Sequence, residues 1–143
     1  MQEDMYALII LGTPGAAAGS LMATAADEFA RSAVDIVGRD QIHNGSGDAL
    51  RHCYWTCRMT KSFGSFKAYL IGLNHEMAGN RTTPPQPAKE AKMDIKNNSV
   101  GISCGLELRS CAESCVEKYN SGRLYGLGGD KLSPTVTLPD GIY

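Results

Sequence analysis

The sequence lacks an excess of charge of either sign, with 14 lysine and arginine residues against 15 aspartate and glutamate residues and a formal net charge of −1. Proteins that bind nucleic acid or an anionic membrane through charge carry a basic surface, so we expect no nucleic acid partner. Long apolar runs are also absent, because the longest, Met5 to Leu11, is far too short to span a bilayer. We therefore expect no transmembrane segment, and the acidic start at residues 2–4 lacks the positive region of a signal peptide.

Length and composition do not require a second domain, because 143 residues with 43% hydrophobic and 20% charged side chains suffice for one core. We expect a single all-α domain over residues 1–143, built from four or five helices and ending in a Gly/Pro-rich tail with a short strand at Thr135–Leu138. Residues 13–15 predict a turn after the first apolar run, with Ser20 as the cap of the next helix.

Five cysteines are more than a cytosolic domain of this size usually carries, and their spacing predicts disulfides. Cys53 and Cys57 lie one helical turn apart, as do Cys111 and Cys115, and Cys104 shares the stripe of the later pair. We expect at least one link between the two groups, one unpaired thiol and an oxidising destination such as the periplasm. The alternative is a zinc site, although C-x3-C on a helix lacks the tight knuckle of zinc ribbons.

Residues 44–59 combine an aspartate, a histidine and the only tryptophan. If this stretch is helical, Asp48 and His52 stand four residues apart on one face, close enough for the carboxylate to orient the imidazole. Arg51 and Trp55 form a neighbouring pair at the same spacing. Asp48 would lie in the first turn, where the helix dipole favours a negative charge. The alternative is a surface helix with an N-terminal acid and a structural histidine.

Two further polar stretches lie on later predicted helices. A helix that ends with His75 and Glu76 is followed by a proline-rich loop, and loops of this kind often edge a site. Asp94 is followed by Asn97 and Asn98, and consecutive asparagines are unfavourable inside a helix, so their amides are expected to bind a cation, a substrate or a buried backbone group. The alternative is that a helix begins or breaks at Asn97.

Together these stretches, GDALRHCYW, NHE and MDIKNNSVG, resemble a toxin-domain family found at the C-termini of polymorphic bacterial toxins. Such domains are carried by Rhs-type, contact-dependent and type VI secretion proteins. The resemblance covers residues 45–105 and follows the pattern D-x-x-R-H-x-x-W, H-E and M-D-x-x-N-N. It implies a secreted antibacterial effector with a cognate immunity protein, and a polar set made of Asp48, Arg51, His52, Trp55, His75, Glu76, Asp94, Asn97 and Asn98.

The residue types in this set favour hydrolysis by an activated water over attack by a covalent nucleophile, and no GxSxG motif is present. We expect His52, oriented by Asp48, to act as the general base. Arg51, His75 and Glu76 are expected to be catalytic as well. The predicted activity is therefore that of a hydrolase.

The remaining members of the set are assigned to binding. Trp55, Asn97 and Asn98 are expected to contact the substrate, and Asp94 with Glu76 to hold a divalent cation, either calcium or zinc. The expected substrate is a component of the cell envelope that is reached from the periplasm of a target bacterium, with phospholipid favoured over peptidoglycan.

Several alternatives remain open. The stretch around His52 is similar to secreted phospholipases A2, which place a general-base histidine on a disulfide-stapled helix, but the aspartate expected directly after that histidine is Cys53 here. A thiol enzyme is the weaker enzymatic alternative, because neighbouring positions on a helix diverge in direction. The competing class is a non-enzymatic toxin or binding module in which the same residues form a structural polar network. Pore formation is weaker still, because the N-terminal apolar run is short.

Overall fold

Five helices make up the described part of the chain in a computed structural model, which describes residues 2–37, 45–80, 84, 87–127 and 132. They are α1 (Gln2–Val37), α2 (Ser46–Phe63), α3 (Ser65–Asn80), α4 (Ala88–Gly105) and α5 (Cys111–Asn120). No strand lies within these residues, so the predicted all-α class is confirmed. No described helix is long and apolar enough to cross a membrane. The predicted strand at Thr135–Leu138 and most of the Gly/Pro-rich tail lie outside the described residues.

The first helix is interrupted, because Gly12 has a non-helical backbone with φ of 74° and ψ of 174°. A positive φ is unfavourable for residues with a Cβ, so glycine suits this break. The predicted turn at residues 13–15 and the predicted helix start at Ser20 are therefore wrong, since the break falls at Gly12 and the helix runs through the later positions. Pro14 is tolerated because it lies in the first turn after the break, where its missing amide hydrogen has no helical acceptor.

The second helix, α2, lies at the centre of the fold and contacts each of the other four helices. Its most extensive contact is with α4, where Gly101 and Gly105 allow the two backbones to approach closely. A Cβ at Gly101 would lie 2.9 Å from the Cα of Cys53, closer than real side chains come. Thr56 Oγ1 donates a hydrogen bond of 3.1 Å across this contact to the Asn98 carbonyl oxygen. The two helices are therefore held at a short distance.

The contact between α1 and α2 is formed by small and aromatic side chains. Phe29 stacks on Tyr54 with ring centroids 4.5 Å apart. Ala26 and Ala33 are fully buried in the same core cluster. Because alanine side chains are short, the backbones of α1 and α2 can lie close together.

Two disulfides join α2 to α5, one between Cys53 and Cys115 and one between Cys57 and Cys111. The predicted link between the two cysteine groups is therefore confirmed, and Cys104 is the free, buried thiol of the described residues. The alternative zinc site is wrong for the four bonded cysteines, because their sulfurs are no longer thiolates. The bonds join residues 62 and 54 positions apart, and each native disulfide typically stabilises a protein by about 2–4 kcal/mol.

Replacing Gly101 with alanine should force α2 and α4 apart. The added methyl group would overlap Thr56 and the backbone of Cys53, so we expect the free energy of unfolding to fall by about 1–3 kcal/mol or more. Thermal unfolding of the oxidised protein measures this change. The control is Ser103→Ala, at an exposed position of the same helix, which should change little. A Gly101→Ala variant as stable as the parent would contradict the close approach of the two backbones.

Candidate functional site

His52, on α2, is held from α4 by an amide side chain. Its Nδ1 lies 2.9 Å from Oδ1 of Asn98, and the residue is only 3% exposed. An amide oxygen can only accept a hydrogen bond, so Nδ1 carries the proton and donates it. In the neutral ring, Nε2 therefore presents its lone pair on the other side of the imidazole.

This second nitrogen, Nε2, faces two buried carboxylates. It lies 3.3 Å from Oδ1 of Asp94 and 3.5 Å from Oδ1 of Asp48. Both separations exceed the usual N–H···O hydrogen-bond range of about 2.7–3.2 Å. Asp48 accepts hydrogen bonds from Nε and Nη2 of Arg51. The ring is thus held on its other side by the hydrogen bond from His52 to Asn98, and the orienting role of Asp48 stays a prediction.

Burial and charge shift the pKa of two members of the acid-histidine cluster, which consists of Asp48, His52 and Asp94. Desolvation lowers the pKa of His52 to about 4, although the charge of Asp48 acts in the opposite direction. Desolvation raises the pKa of Asp94 to about 8, and the charges of Asp48 and Glu76 add to this rise. At neutral pH the imidazole is neutral and Asp94 retains a proton. An imidazole with this pKa is a weak proton acceptor at neutral pH, so the lowered pKa favours His52 as a hydrogen-bond acceptor, and its role as general base stays a prediction.

A cleft of about 140 Å³ opens beside this cluster. His75 lies there with its ring centroid 6.0 Å from that of His52 and 5.4 Å from that of Trp55, against which it packs edge-on. The predicted site residues Arg51, Trp55 and His75 therefore share one cavity with His52. The lining residues come from three helices and are Ala23, Ala26, Arg51, His52, Trp55 and His75.

Glu76 and Asn97, both predicted site residues, have different surroundings. Glu76 is 1% exposed, and its charge helps to raise the pKa of Asp94, so it belongs to the same buried region. Asn97 instead donates from Nδ2 to the Tyr125 carbonyl oxygen at 3.0 Å and accepts from the Tyr125 amide at 2.9 Å. The asparagine amides were expected to bind a cation, a substrate or a buried backbone group, and Asn97 binds the backbone. We therefore assign Asn97 to the fold rather than to the substrate.

Sequence reasoning missed the contribution of α1 and one polar residue of α2. Ala23 and Ala26 line the cleft, but alanines on a helix carry no chemical signal of a binding site. Thr56 is fully buried and donates a hydrogen bond to the Asn98 carbonyl oxygen. Its position four residues after His52, on the same helix face, is a signal that could have identified it.

A protein-family model described as "Domain of unknown function (DUF6973)" matches residues 12–122. The chain belongs to this family. The matched region runs from the break in α1 to just past the end of α5, so it includes both disulfides, the cleft and the acid-histidine cluster. No solved structure matches the chain. The family description names no reaction, and the resemblance to polymorphic toxin domains stays a prediction.

Asp94→Asn should change how stability depends on pH. The pKa of Asp94 is about 8 in the folded protein against 3.8 for the ordinary side chain, so the folded state binds an extra proton between these values. Stability of the parent therefore falls as the pH rises through this window. Asparagine has no such proton to lose, so the free energy of unfolding of the variant should not fall in this pH range as that of the parent does. Above the range, the variant should be more stable than the parent by about 1–3 kcal/mol.

Thermal unfolding of parent and variant across this pH range, in a buffer that contains a chelator, measures the effect. Asp27→Asn is the matched control, because Asp27 lies in an exposed ion pair with Arg31 on α1. Its difference from the parent should be small and nearly independent of pH in the neutral range. A stability difference for Asp94→Asn that does not vary with pH would show that this carboxyl group is not perturbed as described.

Proposed function

We propose that this domain is a hydrolase whose substrate enters the cleft and whose attacking water is activated at the acid-histidine cluster. The observation that carries the proposal is the convergence of three buried ligand atoms, from Asp48, His52 and Asp94, within 4.8 Å of one another. Hydrolysis needs one group that positions the water and another that takes its proton. Nε2 of His52 is an acceptor for a water hydrogen. The pKa of Asp94, about 8, leaves a minor ionised fraction at neutral pH, and that carboxylate is a stronger base than an ordinary aspartate.

Water is favoured as the nucleophile because the cysteines are poorly suited to attack. Cys53 and Cys57 are bonded in disulfides. Burial raises the pKa of Cys104 to about 11, so this side chain stays a thiol at neutral pH. No serine, threonine or cysteine is among the described residues that line the cleft. The disulfides, the raised pKa of Cys104 and the residue types that line the cleft therefore support direct hydrolysis over a covalent intermediate.

The walls of the cleft favour a substrate that is partly apolar. Ala23, Ala26 and Trp55 present hydrocarbon and aromatic surface, which suits an acyl chain. Arg51 also lines the cleft with a side chain that is 37% exposed, and a guanidinium group binds phosphate well. This combination supports a phospholipid over peptidoglycan, whose glycan strands are polar along their whole length.

We further propose that the domain acts as a secreted antibacterial effector in the periplasm of a target cell. Two observations support this proposal. The first is the motif resemblance to toxin domains of Rhs-type, contact-dependent and type VI secretion proteins. The second is the pair of disulfides, since such bonds form and persist in oxidising compartments. An effector of this kind requires a cognate immunity protein, and a partner that covered the cleft would block the proposed reaction.

The proposal is tested by directing the protein to the periplasm or to the cytoplasm of a bacterial host and comparing growth. We expect inhibition from the periplasm alone. It should be lost in His52→Ala, which removes the acceptor that positions the water, and in Asp94→Asn, which removes the base, because removing a positioned group of this kind typically lowers the rate on the order of 10²- to 10⁴-fold. Asp27→Asn, on the surface of α1, is the control and should remain toxic. Equal toxicity in both compartments would contradict action in the periplasm.

Purified parent protein, incubated separately with phospholipid vesicles and with peptidoglycan, identifies the substrate. We expect fatty acid or lysophospholipid to be released from the vesicles. The alternative is a non-enzymatic toxin or binding module in which the cluster is a structural polar network. It predicts that His52→Ala, His75→Ala and Asp94→Asn all unfold at lower temperature than the parent, and that the parent releases no product from either substrate. That pair of results would overturn the hydrolase proposal.

A further inference from the structure

We infer that Asp48, His52 and Asp94 form a binding site for one divalent ion of a first-row transition metal, with zinc as the best match. The ligand atoms are Oδ1 of each aspartate and Nε2 of the histidine. Binding of this ion does not depend on whether the domain is a hydrolase.

The distances between the three ligand atoms suit a shared ion better than direct hydrogen bonds. Nε2 lies 3.3 Å from one carboxylate oxygen and 3.5 Å from the other, and all three atoms lie within 4.8 Å of one another. Ligands bound to zinc at about 2.0–2.2 Å in tetrahedral geometry are separated by about 3.4 Å. A direct N–H···O hydrogen bond would bring nitrogen and oxygen to about 2.7–3.2 Å. The two N···O separations therefore match the spacing of two ligands on one zinc ion.

The neighbours of the ligands provide a second, independent observation. Asn98 accepts the proton of Nδ1 at 2.9 Å, which fixes the tautomer of His52 and directs Nε2 toward the carboxylates. Histidines that bind metals are held in this way, with the second ring nitrogen donating to an oxygen. Arg51 donates through Nε and Nη2 to Oδ1 of Asp48, the oxygen assigned as a ligand, so this oxygen would be shared between the guanidinium group and the ion. The supporting contacts thus orient two of the three ligands.

The charges around the cluster favour a cation. Asp48, Glu76 and Asp94 are at most 5% exposed, and Arg51 is the cation paired with Asp48 in this region. A divalent cation is attracted to buried carboxylates, and between Asp48 and Asp94 it would lie at the point where the two carboxylates approach Nε2.

The ligand types select the class of ion. Calcium takes six to eight oxygen ligands, whereas an imidazole nitrogen with two carboxylates suits zinc and neighbouring transition metals. Of the two cations expected from the sequence, the geometry therefore favours zinc. The other group of possible ligands in the described residues, Cys53, Cys104 and Cys115, is unsuitable because two of its sulfurs are bonded to each other.

The test measures metal binding to the full, oxidised chain without any substrate. Chelator-treated protein is titrated calorimetrically with zinc chloride and, separately, with calcium chloride. We expect one zinc ion per chain and no calcium binding. Asp94→Asn should weaken zinc binding on the order of 100-fold or more, and Asn98→Ala by about 10- to 100-fold, because the first removes a ligand and the second removes its orienting partner.

Two control variants and a fold check keep the result interpretable. Asp27→Asn changes an exposed aspartate on α1, and Cys104→Ser removes the free thiol, so both should bind zinc as the parent does. Circular dichroism confirms that each variant is folded. Failure of the folded parent to bind zinc, equal binding by the parent and Asp94→Asn, or tighter binding of calcium would overturn the inference. A parent that binds zinc but releases no product would count against the hydrolase proposal alone.

Discussion

The short distance between α2 and α4 is the constraint on which the site depends. Gly101 leaves no side chain that could hold the backbones apart, and Thr56 adds a hydrogen bond between the helices. At this distance the amide of Asn98 reaches His52, and Asp94, one turn earlier on α4, faces Nε2 of the same ring. The site is therefore a property of the helix pair, since neither helix contains a complete set of interacting groups.

The two disulfides hold α2 against α5, whereas the polar site lies between α2 and α4. Cys53 and Cys57 are bonded to α5, whereas His52, directly before Cys53, is turned toward α4. Adjacent positions on a helix point about 100° apart, so α2 can be cross-linked on one side and carry polar groups on another. This arrangement restricts the rotation of α2 about its own axis. Restriction of this kind keeps a buried polar site in one geometry.

Burying negative carboxylates beside a histidine is unfavourable unless positive charge offsets them. At Asp48, His52 and Asp94 that charge can come from a proton or from a divalent cation. In the protein without an ion, the pKa of Asp94 is raised to about 8 and the compensation is a proton. In the proposed complex, the compensation is a divalent cation. A purely structural network would gather the same types of residue. Residue type alone therefore does not separate an enzyme from a scaffold, whereas release of product does.

The sequence by itself determined the local features of this protein. Helical spacing predicted the all-α class, the two cysteine groups that could be linked and the polar residues around His52, because each of these patterns depends on neighbours within one or two turns. Tertiary structure alone decided that Asn98 holds the imidazole while Asn97 binds backbone, and that Asp94 lies nearer than Asp48 to Nε2. The reason is that neighbouring positions on one helix point in different directions, and their partners depend on how closely and at what angle a second helix packs.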